Sequence, residues 1–511
     1  EISWKRFNAK ANRVANWLIA SGYKKGDRVA ILIMNCIEWL PLYFGVLKAG
    51  CVAVPLNYRY TAEEIAYCCK LADARMLIFG PNFLGRVEEI SHKLGFLDDV
   101  VYTGEDKLLF ADNLAAMLYG EFDTALKPND PSNSITSEEP KLDFEITDDD
   151  DACIYFSSGT TGFPKAILHN HLSLMHAAKV EQKHHGQTRD DVFLCIPPLY
   201  HTGAKMHWFG SLVSGSRAVL LRGVSPRWIL RTVSEEHCTI VWLLVPWAQD
   251  ILDAIDSGNI ELGDYELDQW RLMHIGAQPV PPSLIQRWKE HFPNHEYDTN
   301  YGLSESIGPG CVHLGVENID HVGAIGKAGY GWEAEIRRED GSVIEPGTKD
   351  VGELCVKGDG VMTCYYNDEE ATREALKDGW LYTGDMAEID KDGFIYLVDR
   401  KKDVIIMGGE NIYPVEIENF LRKHEAIKDC AVIGIPHKRL GESTLAVVEL
   451  KPGFELSEDE FHDFCLDLPR YKRPRHVVFE EVPRNPTGKI EKPKLREKFG
   501  SLRLVEQQIK D

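Results

Sequence analysis

The chain has 511 residues, and two or more domains are expected because a single hydrophobic core stops growing well below this length. Hydrophobic residues make up 44% of the sequence, and 57 basic against 80 acidic residues give a net charge of −23, which excludes a general nucleic-acid or membrane-surface binder. The twelve cysteines form no CxxC pair, which excludes zinc-finger spacing and is typical of thiols in a reducing cytoplasm.

The first part of the chain alternates helical patterns with short apolar runs. A helical pattern is followed by a strand pattern three times. The helical stretch FNAKANRVANWLIASG precedes the strand DRVAILIMN, IEWLPLYFGVLKAG precedes CVAVPLN, and TAEEIAYCCKLADA precedes RMLIFG. After a Pro-, Ser- and acid-rich connection at 129–151, strand patterns return in VFLCIPPL, RAVLLRG, CTIVWLLVP and RLMHIGAQPVP. This alternation predicts an α/β fold with parallel sheets covered on both faces. The longest apolar run, TIVWLLVPWA, is about half the length of a membrane span.

The pattern changes at about Val322 to short strands separated by glycines, such as AEIRREDGSVI and VGELCVKG, which are typical of an antiparallel barrel. Beyond VDRKKDVIIMGGENIYP, the stretches PVEIENFLRKH, IKDCAVIGIP, TLAVVEL and SEDEFHDFCLDL predict a compact α+β unit of about a hundred residues. Its end is basic, with nine Lys or Arg against three acidic residues between Arg470 and Arg496. This segment is either a solvated surface or a contact for a polyanion smaller than nucleic acid.

The stretch YFSSGTTGFPKAILH, at residues 155–169, places small and hydroxyl-bearing residues before a lysine. Backbone N–H groups and hydroxyls converge only where side chains are small, so the stretch suggests a loop that cradles phosphate. The usual phosphate loop ends in Gly-Lys-Ser/Thr and opens a helix, whereas Lys165 precedes AILH, which has a strand pattern. On this stretch alone, a structural turn that binds nothing is the alternative.

Seven separated stretches have to be explained together: SSGTTGFPK, PPLYHTG, IGAQPVP, NYGLSES, GWLYTGD, VDRKKDVIIMGGENIYP and PRNPTGKIEK. In this order and spacing they resemble the adenylate-forming superfamily, which includes acyl-CoA synthetases, firefly luciferase and peptide-synthetase adenylation domains. The resemblance covers essentially the whole chain. It implies a large N-terminal domain of stacked, mostly parallel sheets with a small barrel, followed by a small, mobile α+β C-terminal domain.

The resemblance also implies an ATP site. In that family the Ser/Thr/Gly loop is a strand-to-strand hairpin that closes over the β- and γ-phosphates of ATP, and Ala166 stands where many members have Gly. The positions that match the family's ATP and AMP contacts are Ser157, Ser158, Gly159, Thr160, Thr161, Gly162, Lys165, Gly276, Ala277, Gln278, Asn300, Tyr301, Gly302, Ser304, Asp385, Arg400 and Lys489.

Within this set, Asp385 matches the acid that accepts both ribose hydroxyls, and Arg400 supports it. Tyr301 matches the residue against the adenine face, with Asn300 and residues 276–278 along the adenine edge.

The catalytic positions implied by the resemblance serve the attack of a carboxylate on the α-phosphorus of ATP, which brings two anions together and requires electrostatic stabilisation. Lys489 matches the lysine that bridges the substrate carboxylate and the phosphate. Glu305 matches the Mg²⁺ ligand, and Ser304 keeps the hydroxyl that the family usually takes from Thr beside the α-phosphate. Thr160 belongs to the phosphate loop, and His201 matches the aromatic gate between the acyl pocket and the adenylate.

A second half-reaction transfers the acyl group to coenzyme A. In the family the C-terminal domain swings about a hinge residue, here Lys402, and brings the GGEN loop to the active site. Gly408 and Gly409 would let pantetheine pass close to the backbone, and Tyr471 and Arg473 match positions that hold the CoA nucleotide. The expected domains are 1–399, with the barrel-like part at about 322–398, a hinge at 400–402, and 403–511.

The acid itself is poorly encoded. The resemblance places Thr202, Gly203, Val245, Gly276, Asn300 and Ile307 in the acyl pocket. The stretch HTGAKMHW has no carboxylate to pair with an α-amine, so an amino-acid substrate is disfavoured and a fatty, aromatic or alicyclic acid is expected.

Lys205 stands where related fatty-acyl enzymes carry an aromatic residue, and we expect it to face solvent. If it faces the pocket instead, a polar group of the substrate or an acidic neighbour has to meet its charge.

The histidines at 169, 171, 184, 185, 201 and 207 have no carboxylate at ligand spacing in the sequence, so zinc is not predicted.

These observations predict an AMP-forming carboxylic acid–CoA ligase with ATP, Mg²⁺ and coenzyme A as cofactors. An adenylating enzyme that loads a separate carrier protein is the alternative, although GGEN and RYKRP favour free CoA. A catalytically inactive nucleotide sensor is a third hypothesis, and the presence of Lys489, Glu305, Asp385 and Arg400 argues against it.

The expected partners are small molecules, without nucleic acid or a transmembrane segment. A cytoplasmic enzyme is expected, and a homodimer is compatible with the sequence.

Overall fold

The computed structural model describes residues 1–106, 108–114, 135–157, 164–276, 280–321, 323–407, 410–484 and 490–500. Up to residue 170, the helices and strands are α1 (Trp4–Ala20), β1 (Arg28–Leu32), α2 (Trp39–Lys48), β2 (Val52–Pro55), α3 (Ala62–Leu71), β3 (Ala74–Phe79), α4 (Leu84–Ile90), β4 (Asp99–Tyr102), β5 (Asp112–Asn113), β6 (Asp151–Ser157) and β7 (Lys165–Asn170).

The next part of the chain continues the alternation. Its elements are α5 (His171–His184), β8 (Val192–Cys195), α6 (Thr202–Ser214), β9 (Arg217–Leu220), α7 (Pro226–Glu235), β10 (Ile240–Leu244), α8 (Val245–Asp256), β11 (Leu272–Gly276), α9 (Pro282–His291), β12 (Glu296–Asp298), β13 (Asn300–Leu303), β14 (Gly308–His313) and β15 (Lys327–Ala328).

The remaining elements are mostly strands. They are β16 (Trp332–Arg337), β17 (Gly352–Gly358), β18 (Cys364–Tyr365), α10 (Glu369–Ala375), β19 (Leu376–Lys377), β20 (Trp380–Ile389), β21 (Ile395–Arg400), β22 (Ile405–Met407), β23 (Glu410–Ile412), α11 (Pro414–Leu421), β24 (Ile427–His437), β25 (Gly441–Leu450), α12 (Glu458–Phe464), β26 (His476–Phe479) and α13 (Lys492–Phe499).

Two large sheets form the body of the N-terminal domain. The first has the order β18-β7-β6-β2-β1-β3-β4-β5, and the second, β12-β11-β10-β8-β9, is parallel throughout. Strand β1 shows why such strands are apolar along their length, since it lies between two parallel neighbours and is buried over residues 29–32. The α/β prediction with mostly parallel sheets is confirmed.

The helices cover these sheets with one apolar face. Helix α1 begins where the Ser3 side chain accepts a hydrogen bond from the backbone N–H of Arg6, and it buries Phe7, Val14 and Leu18. Helix α3 begins with a reciprocal capping box between Thr61 and Glu64. No helix in the described parts of the chain is long and apolar enough to cross a membrane.

The chain then forms antiparallel sheets. Strands β13, β14 and β15 form one, and β16, β17, β20, β19 and β21 form another that packs around Trp332 and Leu381. From residue 405 a separate sheet, β23-β22-β25-β24 with β26 beside β25, has its own apolar clusters around Phe461 and Leu495. The predicted separate C-terminal domain is confirmed.

Strands β6 and β7 form the antiparallel hairpin that frames the predicted phosphate loop. Ser157 lies opposite Lys165 in the register, so the loop joins two strands and no helix follows it directly. Residues 158–163 of the loop lie outside the described residues. The carboxyl ends of β10 and β11, at Leu244 and Gly276, lie at the same edge of the parallel sheet, where ligands of α/β proteins usually bind.

Candidate active site

Three of the predicted nucleotide residues form one group, joined by a hydrogen bond and an ion pair. The antiparallel register of β20 and β21 places Asp385 directly opposite Arg400, and Arg400 Nε lies 2.9 Å from Asp385 Oδ1. The hydroxyl of Tyr301 donates to Asp385 Oδ2 at 2.5 Å, and burial followed by the charge of Asp385 raises the pKa of this tyrosine well above its usual value. Two donors from separate strands therefore fix the carboxylate that is predicted to receive the ribose hydroxyls.

Glu305 lies on a short 3₁₀ turn, Ser304–Ser306, that follows β13. Its Oε1 accepts a 2.8 Å hydrogen bond from the hydroxyl of Tyr365, and its backbone carbonyl accepts one from the N–H of Met362, also at 2.8 Å. Lys165 Nζ lies 4.8 Å from the centre of the Tyr365 ring. Glu305 and Lys165, which are 140 positions apart in the sequence, are thus brought together by one tyrosine that the sequence did not single out.

The donor set at Glu305 fits Mg²⁺. This ion binds oxygen ligands and commonly uses only one or two carboxylates, with phosphate oxygens and water as the remaining ligands. The hydrogen bond from Tyr365 orients the carboxylate of Glu305. Mg²⁺ bound here would neutralise charge on the phosphates of ATP.

The turn that carries Glu305 is strained. Ile307 has φ +60° and is completely buried, although a β-branched residue is rarely left-handed. The next residue, Gly308, has φ +115°, and a Cβ there would lie 3.0 Å from Thr202. On the other side of the turn, the ring Nε2 of His169 lies 2.7 Å from the carbonyl oxygen of Ser304, and burial lowers the pKa of His169 to about 4. The surrounding contacts hold the turn in place.

Two of the predicted acyl-pocket residues, Gly203 and Gly276, lie beside the indole ring of Trp242, which the sequence analysis missed. A Cβ on Gly203 would lie 3.1 Å from the ring of Trp242, and one on Gly276 would lie 3.7 Å from Trp242 Nε1. The approach at Gly203 is tight for a side chain, whereas a Cβ on Gly276 would make an ordinary van der Waals contact with Trp242. Val245 is buried at the start of α8, and the His201 ring lies 4.4 Å from that of Tyr200 at the start of α6.

Asn300 has a buried carboxylate as its partner. Its side-chain amide lies 3.1 Å from Glu181 Oε1, and Glu181 on α5 is completely buried. Gly302 follows on the same strand and is half-buried. Glu181 was not singled out in the sequence analysis, because its burial depends on the packing of α5 against α6 and β14.

Lys205 does not face solvent, and that expectation is wrong. The residue is completely buried, and its Nζ lies 2.5 Å from the hydroxyl of Tyr155, which also contacts the hydroxyl of Tyr43 at 3.1 Å. The Nζ is 4.2–4.9 Å from the ring centres of Trp39, Tyr43 and Tyr155. No carboxylate among the described residues pairs with it. Burial lowers the pKa of Lys205 well below its usual value because the charged form is desolvated.

The predicted hinge and CoA residues lie on the C-terminal side. Lys402 is exposed, between Arg400 and Asp403. Tyr471 is exposed, whereas the guanidinium of Arg473 donates to the backbone carbonyls of Leu466 and Leu468. The predicted site residues outside the described part of the chain are Ser158, Gly159, Thr160, Thr161, Gly162, Ala277, Gln278, Gly408, Gly409 and Lys489.

Comparisons with known proteins match this architecture. A family model described as AMP-binding enzyme matches residues 1–366, and one described as AMP-binding enzyme C-terminal domain matches residues 416–489. The chain is 33% identical over 502 residues to the long-chain-fatty-acid–CoA ligase FadD13 of Mycobacterium tuberculosis, covering 98% of this chain and 93% of that one. It is 31% identical over 503 residues to a feruloyl-CoA synthase of Amycolatopsis sp, with 98% and 94% covered.

Among solved structures, ATP-bound MatB from Rhodopseudomonas palustris has a TM-score of 0.83 at 27% identity, covering 98% of this chain and 94% of that one.

Fold and site together define the adenylate-forming class of ligases. The chain belongs to the AMP-binding enzyme family, as an acid–CoA ligase of the adenylate-forming superfamily. Acid–CoA ligases of this superfamily use ATP, Mg²⁺ and coenzyme A.

Proposed function

We propose that the chain converts ATP, a carboxylic acid and CoA into acyl-CoA, AMP and pyrophosphate through an acyl-adenylate. The observation that carries this proposal is that Asp385, Tyr301 and Arg400 form one ion-paired group for ribose. A second group, Glu305 held by Tyr365 beside Lys165, provides a cation ligand and a positive charge for phosphate.

In the first half-reaction, a carboxylate oxygen of the acid attacks the α-phosphorus, the P–O bond to pyrophosphate breaks, and the acyl-adenylate forms. Lys489 is proposed to stabilise the charge that develops between the two anions, and Ser304 to bond the α-phosphate. In the second, the CoA thiolate attacks the acyl carbon and AMP leaves. The domain bounds 1–399 and 403–511, with rotation about Lys402 between the half-reactions, belong to this proposal.

Lys489→Ala tests the assignment of the two half-reactions. Adenylate formation should fall by about 10²–10³-fold, which is the usual loss when one charge stabiliser is removed, and thioester formation from a supplied acyl-adenylate should be spared. Both steps can be followed by pyrophosphate release and by acyl-CoA formation. The matched control is Lys494→Ala, because Lys494 is an exposed residue of α13 that pairs with Glu491. Equal loss in both half-reactions, with folding intact, would contradict the assignment.

The acid is proposed to be fatty, aromatic or alicyclic, since the relatives compared above are named for a long-chain fatty acid and for ferulic acid. A CoA-dependent screen of AMP release across short, medium, aromatic and alicyclic acids would identify it. Release of AMP with no acyl-CoA formed would favour loading of a carrier protein. Absence of AMP release with every acid would contradict the proposed ligase activity.

The proposed compartment is the cytoplasm, supported by the twelve cysteines, all of which are free thiols. A homodimer stays a prediction that light scattering on the purified protein would check.

A further inference from the structure

Six buried side chains form a cluster next to the acyl end of the site. They come from α5, α6, β11, β12 and β14, and none is more than 3% exposed. The cluster consists of Glu181, His185, His207, His274, Asp298 and His313. Glu181 and His185 share a face of α5 because they are four positions apart, and the other members are distant in sequence. The expectation that no carboxylate stands at ligand spacing is therefore wrong, because Glu181 stands four positions before His185.

Three imidazoles converge within the cluster. His185, His207 and His274 each present a ring nitrogen, and these three atoms lie within 4.8 Å of one another. His185 Nε2 is 3.0 Å from His274 Nδ1. Glu181 Oε2 is 2.8 Å from His207 Nε2 and 3.7 Å from His185 Nε2. In a tetrahedral zinc site with metal–nitrogen bonds of ~2.0–2.1 Å, two neighbouring ligand atoms lie about 3.3 Å apart. The three distances between ligand atoms given above lie on either side of that value.

The tautomer of His207 gives an independent indication. Its Nδ1 lies 2.6 Å from the carbonyl oxygen of Gly203, an acceptor, so Nδ1 carries the proton and donates it. Its Nε2 faces Glu181 Oε2 at 2.8 Å, and this contact is favourable only when Nε2 is also protonated, as an imidazolium, or is bound to a cation. Zn²⁺ would take the place of that proton. A backbone carbonyl that holds the far N–H is the usual second contact of a metal-binding histidine.

The charges of the cluster also favour a cation. Glu181 and Asp298 are buried carboxylates, and in the described parts of the chain their ion-pair partners are histidines only. His313 contacts both carboxylates, at 3.3 Å from Glu181 Oε1 and 3.1 Å from Asp298 Oδ2, and as an imidazolium it balances one of the two charges. An unbalanced buried charge is costly, so the second carboxylate favours a cation among the remaining imidazoles. Imidazole nitrogens with one carboxylate oxygen are ligands that suit Zn²⁺.

We propose that Glu181, His185, His207 and His274 bind one Zn²⁺ ion. Asp298 stands next to this set, since its Oδ2 lies 3.8 Å from His274 Nδ1 and 3.9 Å from His185 Nε2. The proposal is independent of the ligase reaction and adds a second, fully buried metal position to the one at Glu305.

The zinc ion would stabilise one wall of the acyl pocket. The ring of His207 is nearly parallel to Trp242, with the centroids 4.9 Å apart, and Glu181 accepts from the amide of Asn300. The ligands are thus in direct contact with two residues at the pocket. The ion has a positioning role, because the cluster is buried away from solvent.

The test uses the full chain without a histidine tag, with Zn²⁺ and Co²⁺ as the probes. After removal of weakly bound metal on a chelating column, the protein should retain one zinc per chain by elemental analysis. The chelator-stripped protein should take up one Co²⁺ and develop the visible absorption bands of a four-coordinate site. His207→Asn and Glu181→Gln should each weaken Co²⁺ binding by about 10-fold or more, given the size of effects at metal sites.

Two controls separate this site from other metal binding. His92→Gln changes an exposed histidine, and Glu305→Gln changes the proposed Mg²⁺ ligand, so both should keep the zinc. If the cluster variants fail to fold, X-ray absorption at the zinc edge of the unmodified protein should show three imidazole ligands. The proposal is overturned if the unmodified protein binds neither ion, if the folded cluster variants bind as tightly as it does, or if the absorption spectrum shows no imidazole.

Discussion

Replacing Lys205 with methionine should change how the stability of the protein depends on pH. The side chain is buried among Trp39, Tyr43 and Tyr155, and burial lowers its pKa well below the usual value. In the unfolded chain a lysine titrates at about 10.4. Between the lowered folded pKa and about pH 10.4, the unfolded state therefore binds one more proton than the folded state. The free energy of unfolding then rises by about 1.4 kcal/mol per pH unit, and this contribution is lost as pH falls.

The magnitude follows from this slope. For each pH unit between the lowered folded pKa and about 10.4, Lys205 should add about 1.4 kcal/mol to the stability of the unmodified protein, and Lys205→Met should remove this slope. Deprotonating the lysine costs the same amount for each unit that the pH lies below about 10.4, and its hydrogen bond to Tyr155 offsets about 1 kcal/mol of that cost. Methionine has no such cost and should be the more stable residue well below about pH 10.4, where Tyr155 keeps its contact with the hydroxyl of Tyr43.

The assay is urea unfolding at several pH values, followed by tryptophan fluorescence, since Trp39 lies 4.9 Å from the lysine nitrogen. Only the difference between variant and unmodified protein is used, so other titrating groups cancel. Lys70→Met is the control because Lys70 is exposed on α3, and it should keep the pH dependence of the unmodified protein. If Lys205→Met also kept that dependence, the lysine would be charged in the folded state and the reasoning would be refuted.

Three further changes address the catalytic site and the hinge. Tyr365→Phe removes the hydrogen bond to Glu305 and should raise the KM for MgATP by about 10–100-fold, the usual effect of losing a hydrogen bond to a charged group. The control Tyr366→Phe, whose hydroxyl bonds Asp73, should leave this KM unchanged. Equal effects of the two variants would count against the role of Tyr365. Lys402→Pro should spare pyrophosphate release and abolish acyl-CoA formation, since proline fixes φ, and normal CoA turnover would place the hinge elsewhere. Burial raises the pKa of Asp399 to about 6, so its contribution to stability is full below about pH 3.9 and is lost as pH rises through 6. In urea unfolding, the free energy of unfolding of Asp399→Asn should lack this fall of about 2–3 kcal/mol between about pH 3.9 and 6. A variant with the same pH dependence as the unmodified protein would contradict the prediction.

The parts of the site that could be predicted depend on local chemistry. A loop such as SSGTTGFPK needs small residues, and the alternation of β6 and β7 fixes its strand-to-strand form from neighbouring residues alone. Asp385 and Arg400 could also be predicted, because each belongs to a short motif of neighbouring residues, and the two strands that carry them pair in register. The α/β class followed from the spacing of apolar residues in the first hundred positions.

The rest depends on contacts between distant segments. Lys205 is buried because one face of α6 meets α2 and β6, and nothing in HTGAKMHW indicates which face that is. Glu181 lies in a polar helix, yet histidines from two other elements, His207 and His313, contact it. A charged residue in a sequence is normally exposed, so its burial becomes visible only when its neighbours in space are known.

The ion pairs on either side of Lys402 limit how the two domains can move. Arg400 is paired with Asp385 of the N-terminal domain, and Asp403 is paired with Arg496 of α13. Only residues 401 and 402 lie between these two points, which leaves a handful of backbone torsions free. If the C-terminal domain moves about the proposed hinge, a link this short permits almost no translation, and its positions would be related by rotation about an axis close to Lys402. Residues near this axis would then move little, whereas the far side of the C-terminal domain would sweep the longest arc.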